Sequence, residues 1–189
     1  MHFRLCDYVL DLVQNAVEAG AAVVTLQLFE RKTQFILEIE DNGCGMDEET
    51  RARALDPFYS DGVKHRARKV GLGLPFVKQA LDATGGTFVL ESEKGRGTAL
   101  HCRFDLTHVD TPPVGDVASL IMQCMMLPGS FELKVIRSKE TERGEDQYEL
   151  SRNALQDILG DFGWSDSASL LRQFIRSQED YQKQGDNNG

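Results

Sequence analysis

The chain has 189 residues, of which 41% are hydrophobic, and its formal net charge is −9. This length and apolar content predict one domain with a core, or a domain of about 110 residues with a smaller region after it, and exclude disorder of the whole chain. The acidic balance excludes an extended basic surface for nucleic acid, and no run of roughly 18 apolar residues is present to span a membrane.

The first predicted elements are a helix and two strands. Residues 4–19 form an amphipathic helix, because their apolar side chains recur at helical spacing. Residues 22–30 and 33–40 alternate apolar and polar side chains, which predicts a pair of strands joined by a turn. The second strand runs directly into residues 41–46, which read Asp-Asn-Gly-Cys-Gly-Met.

The next elements complete the first half of the chain. Asp47 is suited to cap a short helix. The composition of residues 60–70 predicts a loop. The glycine-rich residues 71–75 are expected to begin another helix, with a proline in its first turn. Two strands, 87–93 and 98–104, follow.

A new pattern begins after the proline-rich linker near residue 112. Asp116 is suited to cap a helix, and residues 131–138 and 147–150 predict a hairpin around a charged loop. Two amphipathic helices follow, for which Ser151 and Asp166 are the expected caps.

These patterns divide the chain into residues 1–110, a small α+β region over 114–182, and a flexible tail over 183–189. A region as small as 114–182 buries little surface on its own, so we expect it to contact a partner protein or a second copy of the chain. Its apolar side chains include Leu120, Ile121, Met125, Leu170, Leu171 and Phe174.

Two polar side chains stand out in the first helix. Asn15 lies in the middle of the helix, where Asn lowers helix stability by roughly a few tenths of a kcal/mol relative to Ala. Asp11 lies one turn earlier on the same face, which places two hard oxygen ligands side by side, as Mg²⁺ or an ordered water requires. The alternative is an ordinary solvated helix face.

The glycine-containing segment after the second strand is the next candidate. Asp41 ends that strand, and Gly43 and Gly45 let the backbone approach a flat ligand while the carboxylate accepts a hydrogen bond from an exocyclic amine, such as that of adenine. The alternative is an Asp/Gly turn that leads into a helix cap.

A second glycine motif, Gly71-Leu72-Gly73, precedes a helix and can bring phosphate oxygens to backbone N–H groups at its positive end. It is neither a P-loop nor a dinucleotide fingerprint, because the remaining residues of those motifs are absent. The preceding loop is basic and would neutralise a polyphosphate, or is simply solvated. Its basic side chains are Lys64, His65, Arg66, Arg68 and Lys69.

The order and spacing of these motifs resemble the ATP-binding domain shared by histidine kinases, gyrase, mismatch-repair proteins, the heat-shock chaperone of that group and anti-sigma kinases, the GHKL superfamily. The resemblance covers residues 1 to about 106. It implies an α/β sandwich of the Bergerat type, a mixed sheet with helices on one face and ATP between the layers, followed here by the small C-terminal α+β region.

The resemblance also implies roles for individual residues. Asn15 would hold Mg²⁺, Asp41 would bind the adenine amine, and Thr98 would support Asp41 through water. Gly43 and Gly45 would line the adenine pocket. The remaining members of the implied nucleotide-binding set are Met46, Lys69, Gly71, Leu72, Gly73 and Leu74.

Two departures from those families bear on activity. No phosphoacceptor hairpin precedes the first motif in this sequence, so we expect no histidine autophosphorylation; the histidines are His2, His65, His101 and His108. Asp11 stands where hydrolysing relatives carry a catalytic Glu. As the candidate catalytic base it is shorter by one methylene, so we expect slow turnover.

Over its whole length the chain also resembles small stand-alone ATP-binding proteins of anaerobic bacteria. The shared stretch after the ATP-binding domain is Pro113-Val114-Gly115-Asp116-Val117-Ala118-Ser119.

Three functions agree with these observations: a regulatory kinase in signal transduction that phosphorylates a partner protein, a slow ATPase whose nucleotide drives dimerisation, and a nucleotide sensor without catalysis. We favour the first. Because a secretory signal is not recognisable and the four cysteines form no zinc pattern, we expect a cytoplasmic protein with reduced thiols. We expect ATP and Mg²⁺ as ligands, and neither direct nucleic-acid binding nor a membrane.

Overall fold

The computed structural model of the protein describes residues 4–56, 73–142 and 144–184. The predicted basic loop, with Lys69, Gly71 and Leu72, therefore lies outside the described residues. In the described part of the chain, no helix combines the length and the apolar character that crossing a membrane requires. The elements are α1 (Leu5–Glu18), β1 (Val23–Glu30), β2 (Gln34–Asp41), α2 (Glu48–Ala54), α3 (Gly73–Thr84), β3 (Thr87–Glu93), β4 (Gly97–Asp105), α4 (Val117–Met125), β5 (Glu132–Thr141), β6 (Gly144–Ser151), α5 (Arg152–Leu159) and α6 (Ser165–Gln184).

The strands form a six-stranded sheet in the order β3-β4-β2-β1-β5-β6. The neighbours β1 and β5 run parallel, and the other adjacent pairs run antiparallel. The predicted mixed sheet is thus confirmed.

The predicted C-terminal hairpin is present as β5 and β6, and it extends the sheet of the first half. Val24 of β1 lies opposite Leu133 of β5, and both side chains are fully buried. The strands of residues 114–182 therefore share a sheet and a hydrophobic core with those of residues 1–110. A separate role for each part stays a prediction.

This shared core changes which C-terminal side chains can meet a partner. Of the six apolar residues expected to contact one, four are buried: Leu120, Ile121, Met125 and Leu171. They pack against α1 and the sheet, and the local sequence pattern does not predict that these elements cover them. Leu170 and Phe174 remain exposed, at 50% and 38%.

One face of the sheet is covered by helices, as predicted for the sandwich. The buried side chains of the central strands alternate along each strand, as Leu26 and Leu28 do in β1, and they join one cluster with the apolar stripe of α1. On the opposite face the central strands carry polar side chains such as Gln27, Glu38 and His101.

Three of the four predicted helix caps are confirmed by their hydrogen bonds. The side chains of Asp47, Asp116 and Ser151 accept from backbone N–H groups in the first turns of α2, α4 and α5. The fourth prediction is wrong, because α6 begins at Ser165 and Asp166 therefore lies inside its first turn. Its carboxylate is still near the positive end of the helix dipole.

Arg137 of β5 is 1% exposed and forms an ion-pair network. Its Nε atom donates to Glu179 of α6 at 3.1 Å, and its Nη2 atom donates to Glu30 of β1. The Tyr148 hydroxyl donates to the same Glu179 oxygen at 2.6 Å. Burial alone would lower the pKa of Arg137, but Glu179 and Glu30 together raise it above its ordinary value. The network ties α6 to the sheet.

Arg152, the first residue of α5, satisfies the carbonyl groups at the end of α4 and in the following loop. Its guanidinium donates to the carbonyl oxygens of Met125 at 2.9 Å and Phe131 at 3.0 Å, and more weakly to those of Leu127 and Gly129. It also lies 4.4 Å from the centre of the Phe131 ring. These contacts replace the water that a helix end otherwise binds.

Candidate nucleotide-binding site

A cavity of about 320 Å³ lies between α1 and the sheet. Its volume falls at the lower end of the range for small-molecule sites, roughly 300–1,000 Å³. Six of the residues predicted for the nucleotide site line it: Asn15, Asp41, Gly45, Met46, Leu74 and Thr98. The other lining residues, which the sequence analysis did not assign to the site, are Leu12, Ala16, Ala19, Ile39, Cys44, Ala54, Leu90 and Leu100.

The wall formed by α1 combines one polar side chain with small ones. Leu12, Asn15, Ala16 and Ala19 follow helical spacing, so they share the face that looks onto the cavity. Because Ala16 and Ala19 are short, the helix leaves open space against the sheet. The alternating pattern of the strands predicts Ile39, Leu90 and Leu100 as core residues. A cavity forms beside them because the facing residues of α1, Ala16 and Ala19, are too small to fill the space.

Asp41, the last residue of β2, supplies the carboxylate of the cavity. One of its oxygens, Oδ1, accepts from the Gly43 N–H at 2.8 Å. Burial raises the pKa of Asp41 above its ordinary value, and hydrogen bonds from the backbone of Gly43 and Thr98 oppose part of that rise. The carboxylate is therefore partly dehydrated, a state that favours a further hydrogen-bond donor.

The glycines of the turn after Asp41 are required by close backbone packing. Gly45 has a φ of +60°, and a Cβ atom there would lie 2.0 Å from the carbonyl oxygen of Glu93. At Gly43 a Cβ atom would lie 2.9 Å from Asp41 Oδ1. A side chain at Gly45 would push the turn away from the β3–β4 connection, and one at Gly43 would press on Asp41 and on Ala19 at the end of α1.

Three further hydrogen bonds hold this turn in place. Asn42 Oδ1 accepts from the backbone N–H groups of Ala22 and Val23, both at 2.8 Å. The Cys44 N–H donates to the Ala19 carbonyl at 3.0 Å. The turn is thus fixed to the end of α1 and the start of β1. Asn42 was not recognised from the sequence, although an Asn that ends a strand before glycines commonly satisfies backbone groups.

Ser92 is a second residue that the sequence analysis did not assign. Its Oγ atom accepts from the Met46 N–H at 2.8 Å and donates to the Gly97 carbonyl at 3.0 Å. The same atom lies 3.0 Å from Thr98 Oγ1. Since Ser has a single hydroxyl proton and gives it to Gly97, Thr98 is the donor in the second pair. The remaining lone pairs of Thr98 are then available to the cavity as acceptors.

Asp11 contacts the start of α3. Its Oδ2 atom accepts from the Gly73 N–H at 2.7 Å, and a Cβ atom on Gly73 would lie 2.5 Å from that oxygen. A carboxylate at a helix N-terminus is favourable because of the helix dipole. The cavity walls described above do not include Asp11, Gly43 or Gly73. A catalytic role for Asp11 stays a prediction.

Among the described residues, no group of three or more His, Cys, Asp and Glu side chains is placed to hold a metal ion. Mg²⁺ in nucleotide sites commonly takes one or two protein oxygens and completes its shell with phosphates and water. The amide oxygen of Asn15 fits that smaller role, and its assignment as a ligand stays a prediction.

The four cysteines differ sharply in exposure. Cys44 is exposed at the cavity, whereas Cys6, Cys102 and Cys124 are buried. Burial raises the pKa of Cys6 and of Cys102 to about 12 and also raises that of Cys124. Cys44 is therefore the thiol available to reagents in solution.

Comparison with known proteins places this geometry in a family. Residues 2–108 match the histidine kinase-, DNA gyrase B- and HSP90-like ATPases. The chain belongs to this family. Membership implies an ATP-binding domain, typically one that also takes Mg²⁺, and it confirms the GHKL resemblance found in the sequence.

Relatives and a solved structure extend the comparison. The chain is 29% identical over 110 residues to a putative sensor protein of Shewanella frigidimarina, covering 57% of this chain and 16% of that one. It is 32% identical over 122 residues to the sensor histidine kinase AruS of Pseudomonas aeruginosa, covering 58% and 12%. The chain thus spans less than a fifth of these relatives.

The N-terminal domain of a DNA repair protein shares the fold, with a TM-score of 0.52 and 14% identity. That superposition covers 85% of this chain and 58% of the other. It reaches beyond residues 2–108, so part of the C-terminal region also belongs to the common fold.

Proposed function

We propose that the protein binds Mg-ATP in the cavity between α1 and the sheet and acts as a kinase-type regulator that phosphorylates a partner protein. The observation that carries the nucleotide assignment is the partly dehydrated Asp41 carboxylate, held at the turn next to Gly43 and facing a cavity with apolar walls. A flat ring with an exocyclic amine satisfies both the carboxylate and those walls.

In this proposal, different residues of the cavity contact different parts of the adenine ring. Asp41 accepts a hydrogen bond from one N–H of the adenine amine, and the Thr98 hydroxyl oxygen can accept from the other N–H or from a bridging water. Ile39, Leu90 and Leu100 cover apolar parts of the cavity. Guanine carries a carbonyl oxygen at the equivalent position, so two acceptors in the cavity favour adenine over guanine.

The kinase assignment is supported by the relatives. Those reported above include a putative sensor protein and a sensor histidine kinase. This chain matches only a small part of their length, so the kinase activity is a proposal that the labelling experiment below tests.

One contact favours a second candidate, a sensor that binds nucleotide without turning it over. The Asp11 carboxylate accepts from the Gly73 N–H at the start of α3. In that position it anchors a helix, whereas a general base has to reach a water next to the terminal phosphate. ATP would then act by changing the population of conformations.

The test of nucleotide binding uses Asp41→Asn. Asn keeps an oxygen that can accept from Gly43, but it loses the charge that binds the adenine amine. We expect calorimetry to show a loss of Mg-ATP affinity of about 10- to 100-fold, since a hydrogen bond to a charged group contributes roughly 1.5–3 kcal/mol. Unchanged affinity would show that the cavity is not the nucleotide site.

Cys44 gives an independent measure in the unmodified protein. Mg-ATP is expected to slow the alkylation of Cys44 by a maleimide, because the thiol lines the cavity. The buried cysteines serve as internal controls, detected only after unfolding. Alkylation of Cys44 at the same rate with saturating ATP would contradict the assignment.

A third experiment separates the two functional candidates. γ-Labelled ATP is incubated with the protein, alone and with extract from its native cell, using wild type and Asp11→Asn. Transfer of label to a protein supports the kinase, and free phosphate alone supports a slow ATPase. Binding without either product supports the sensor. If Asp11 is the base, Asp11→Asn retains binding and loses turnover.

A further inference from the structure

A groove lies on the side of α1 that faces away from the nucleotide cavity, between α1, α4 and α6. Its volume is about 560 Å³. The apolar walls and the basic rim of this groove are formed by Leu10, Met122, Met126, Leu127, Arg172 and Arg176. Methionine side chains adapt to differently shaped partners, so such a surface is suited to protein contact.

The rim of the groove carries positive charge that the fold itself leaves unpaired. Arg172 and Arg176 lie one turn apart on α6, and both are exposed. Within the described residues, neither forms an ion pair or a side-chain hydrogen bond. The chain as a whole has a net charge of −9, so this basic pair is opposite in sign to the protein that carries it.

The segment from the end of α5 to the start of α6 has the opposite character. Ile158 and Trp164 are exposed at 78% and 73%, among the highest values for large apolar side chains in the described structure. They alternate along this segment with the exposed acidic residues Asp157, Asp161 and Asp166. Exposed large apolar residues that are flanked by charge commonly mark an interaction site.

We propose that the protein self-associates by placing the acidic segment 157–166 of one copy in the α1–α4–α6 groove of another. The groove offers apolar walls and two arginines, and the segment offers two large apolar side chains and three aspartates. Both halves lie on the same chain, so a two-fold dimer can form the contact twice, with each copy contributing a groove and a segment.

A second copy fits better than an unrelated partner because the chain itself already carries a segment of complementary charge and apolar character. Ion pairs at such a rim contribute mainly to partner choice and orientation, while burial of the apolar residues supplies affinity. The proposal makes no use of the nucleotide cavity, so its failure would leave the proposed function untouched.

The experiment uses the full chain and reverses charges on each half separately. The double variant Arg172→Glu/Arg176→Glu makes the groove acidic, and Asp157→Arg/Asp166→Arg makes the segment basic. In a dimer, each double variant changes four side chains, two in each copy, and places like charges opposite each other. We expect wild type to sediment as a dimer and each double variant as a monomer, with self-association weakened at least about 100-fold. An equimolar mixture of the two variants should regain the dimer, because each groove then meets a segment of opposite charge.

The single tryptophan of the chain, Trp164, provides a second readout. Its emission is expected to shift to the blue and to become less accessible to acrylamide as the wild-type concentration rises. Arg103→Glu with Lys134→Glu, on the open face of the sheet, makes the same change in net charge and should leave the dimer intact. A monomeric wild type, a dimer in either charge-reversed variant, or a mixture that stays monomeric would each overturn the proposal.

Discussion

The two ends of the sheet use the space beneath the helices in different ways. Beneath α1, the strands β2, β3 and β4 meet small residues such as Ala16 and Ala19, and a cavity remains. Beneath α4 and α6, the strand β5 meets large side chains, and Met125 and Leu133 are completely buried. The same layered architecture is hollow at one end and filled at the other.

The polar groups at the two ends also differ in how completely their hydrogen-bonding capacity is used within the protein. All five N–H donors of Arg152 have acceptors, since its guanidinium also reaches Gln156, and Arg137 is held by two carboxylates and a carbonyl. At the hollow end, the Asp41 carboxylate and the Thr98 hydroxyl retain capacity to accept. Satisfied buried polar groups stabilise a fold, whereas those with spare capacity serve a ligand.

The largest expected effect is that of Gly97→Ala. Gly97 has a φ of +108°, and a Cβ atom there would lie 1.9 Å from the Asp41 carbonyl oxygen. We expect a loss of at least about 4 kcal/mol in the free energy of unfolding, combining backbone strain with overpacking. Mg-ATP binding should be lost with it.

Gly95→Ala is the matched control for that substitution. Gly95 also has a positive φ, +83°, but no heavy atom lies within 4 Å of the Cβ position. Its expected cost is about 1–2 kcal/mol from conformation alone. Equal destabilisation by the two variants in chemical denaturation would contradict the close packing of β4 against Asp41.

At the filled end, Arg152→Ala should lower the free energy of unfolding by about 3 kcal/mol, because it leaves the carbonyls at the end of α4 without donors. Calorimetry should show Mg-ATP affinity changed less than about twofold among molecules that remain folded, since Arg152 is remote from the cavity residues in the sheet. Lys134→Ala, at an exposed position of β5, is the control with an expected effect within about 0.5 kcal/mol. A large loss of affinity would show that the two ends are coupled.

Ser92→Ala has a smaller expected effect, about 1 kcal/mol of stability, from loss of the hydrogen bond to the Met46 N–H. It also frees the Thr98 hydroxyl to donate toward the cavity. We therefore expect ATP affinity to fall by less than about tenfold and the preference for ATP over GTP to narrow. Equal losses for both nucleotides would assign Ser92 a purely structural role.

The smallest effect concerns Asp41 and pH. Because burial raises its pKa in the folded state, the ionised carboxylate destabilises the fold, and this cost is present at neutral pH and disappears as pH falls through the raised pKa. Asp41→Asn should therefore unfold at slightly higher denaturant than wild type at pH 7, with the difference shrinking on the acid side. Mg-ATP binding to wild type should weaken over that same acid range, which begins above the ordinary Asp value of 3.8. A destabilised variant at pH 7 would contradict this assignment.

The sequence predicted much of the fold because local patterns specified it. Alternation placed β1 and β2, and the caps at Asp47, Asp116 and Ser151 placed three helix starts. The parallel pairing of β1 with β5 was not predictable, because it joins distant segments that carry no shared local signal. It also corrected the expectation that Leu120 and Met125 are available to a partner.

The residues of the candidate site also fall into those that a local motif or a resemblance predicts and those whose role depends on the tertiary structure. Asp41 was predicted from the chemistry of its motif and Thr98 from the family resemblance, and the structure brings both to one cavity. Ser92 and Asn42 were missed because a serine in a strand and an asparagine in a turn are common, and their role depends on which backbone groups lie nearby. Asp11 was predicted to face the nucleotide, and its contact with Gly73 depends on how α3 is positioned by the tertiary structure.

The pairing of β1 with β5 has a consequence for how the chain is made. Val23 pairs with Glu132, a separation of 109 positions, so one edge of β1 stays open until β5 has been synthesised. At roughly 5–20 residues per second, that interval lasts about 5–20 seconds. During it, β1 presents a row of unpaired backbone groups and the apolar side chains Leu26 and Leu28, the features that recruit other strands. A chain ending near residue 110 would keep this edge permanently, so the N-terminal half on its own is expected to aggregate.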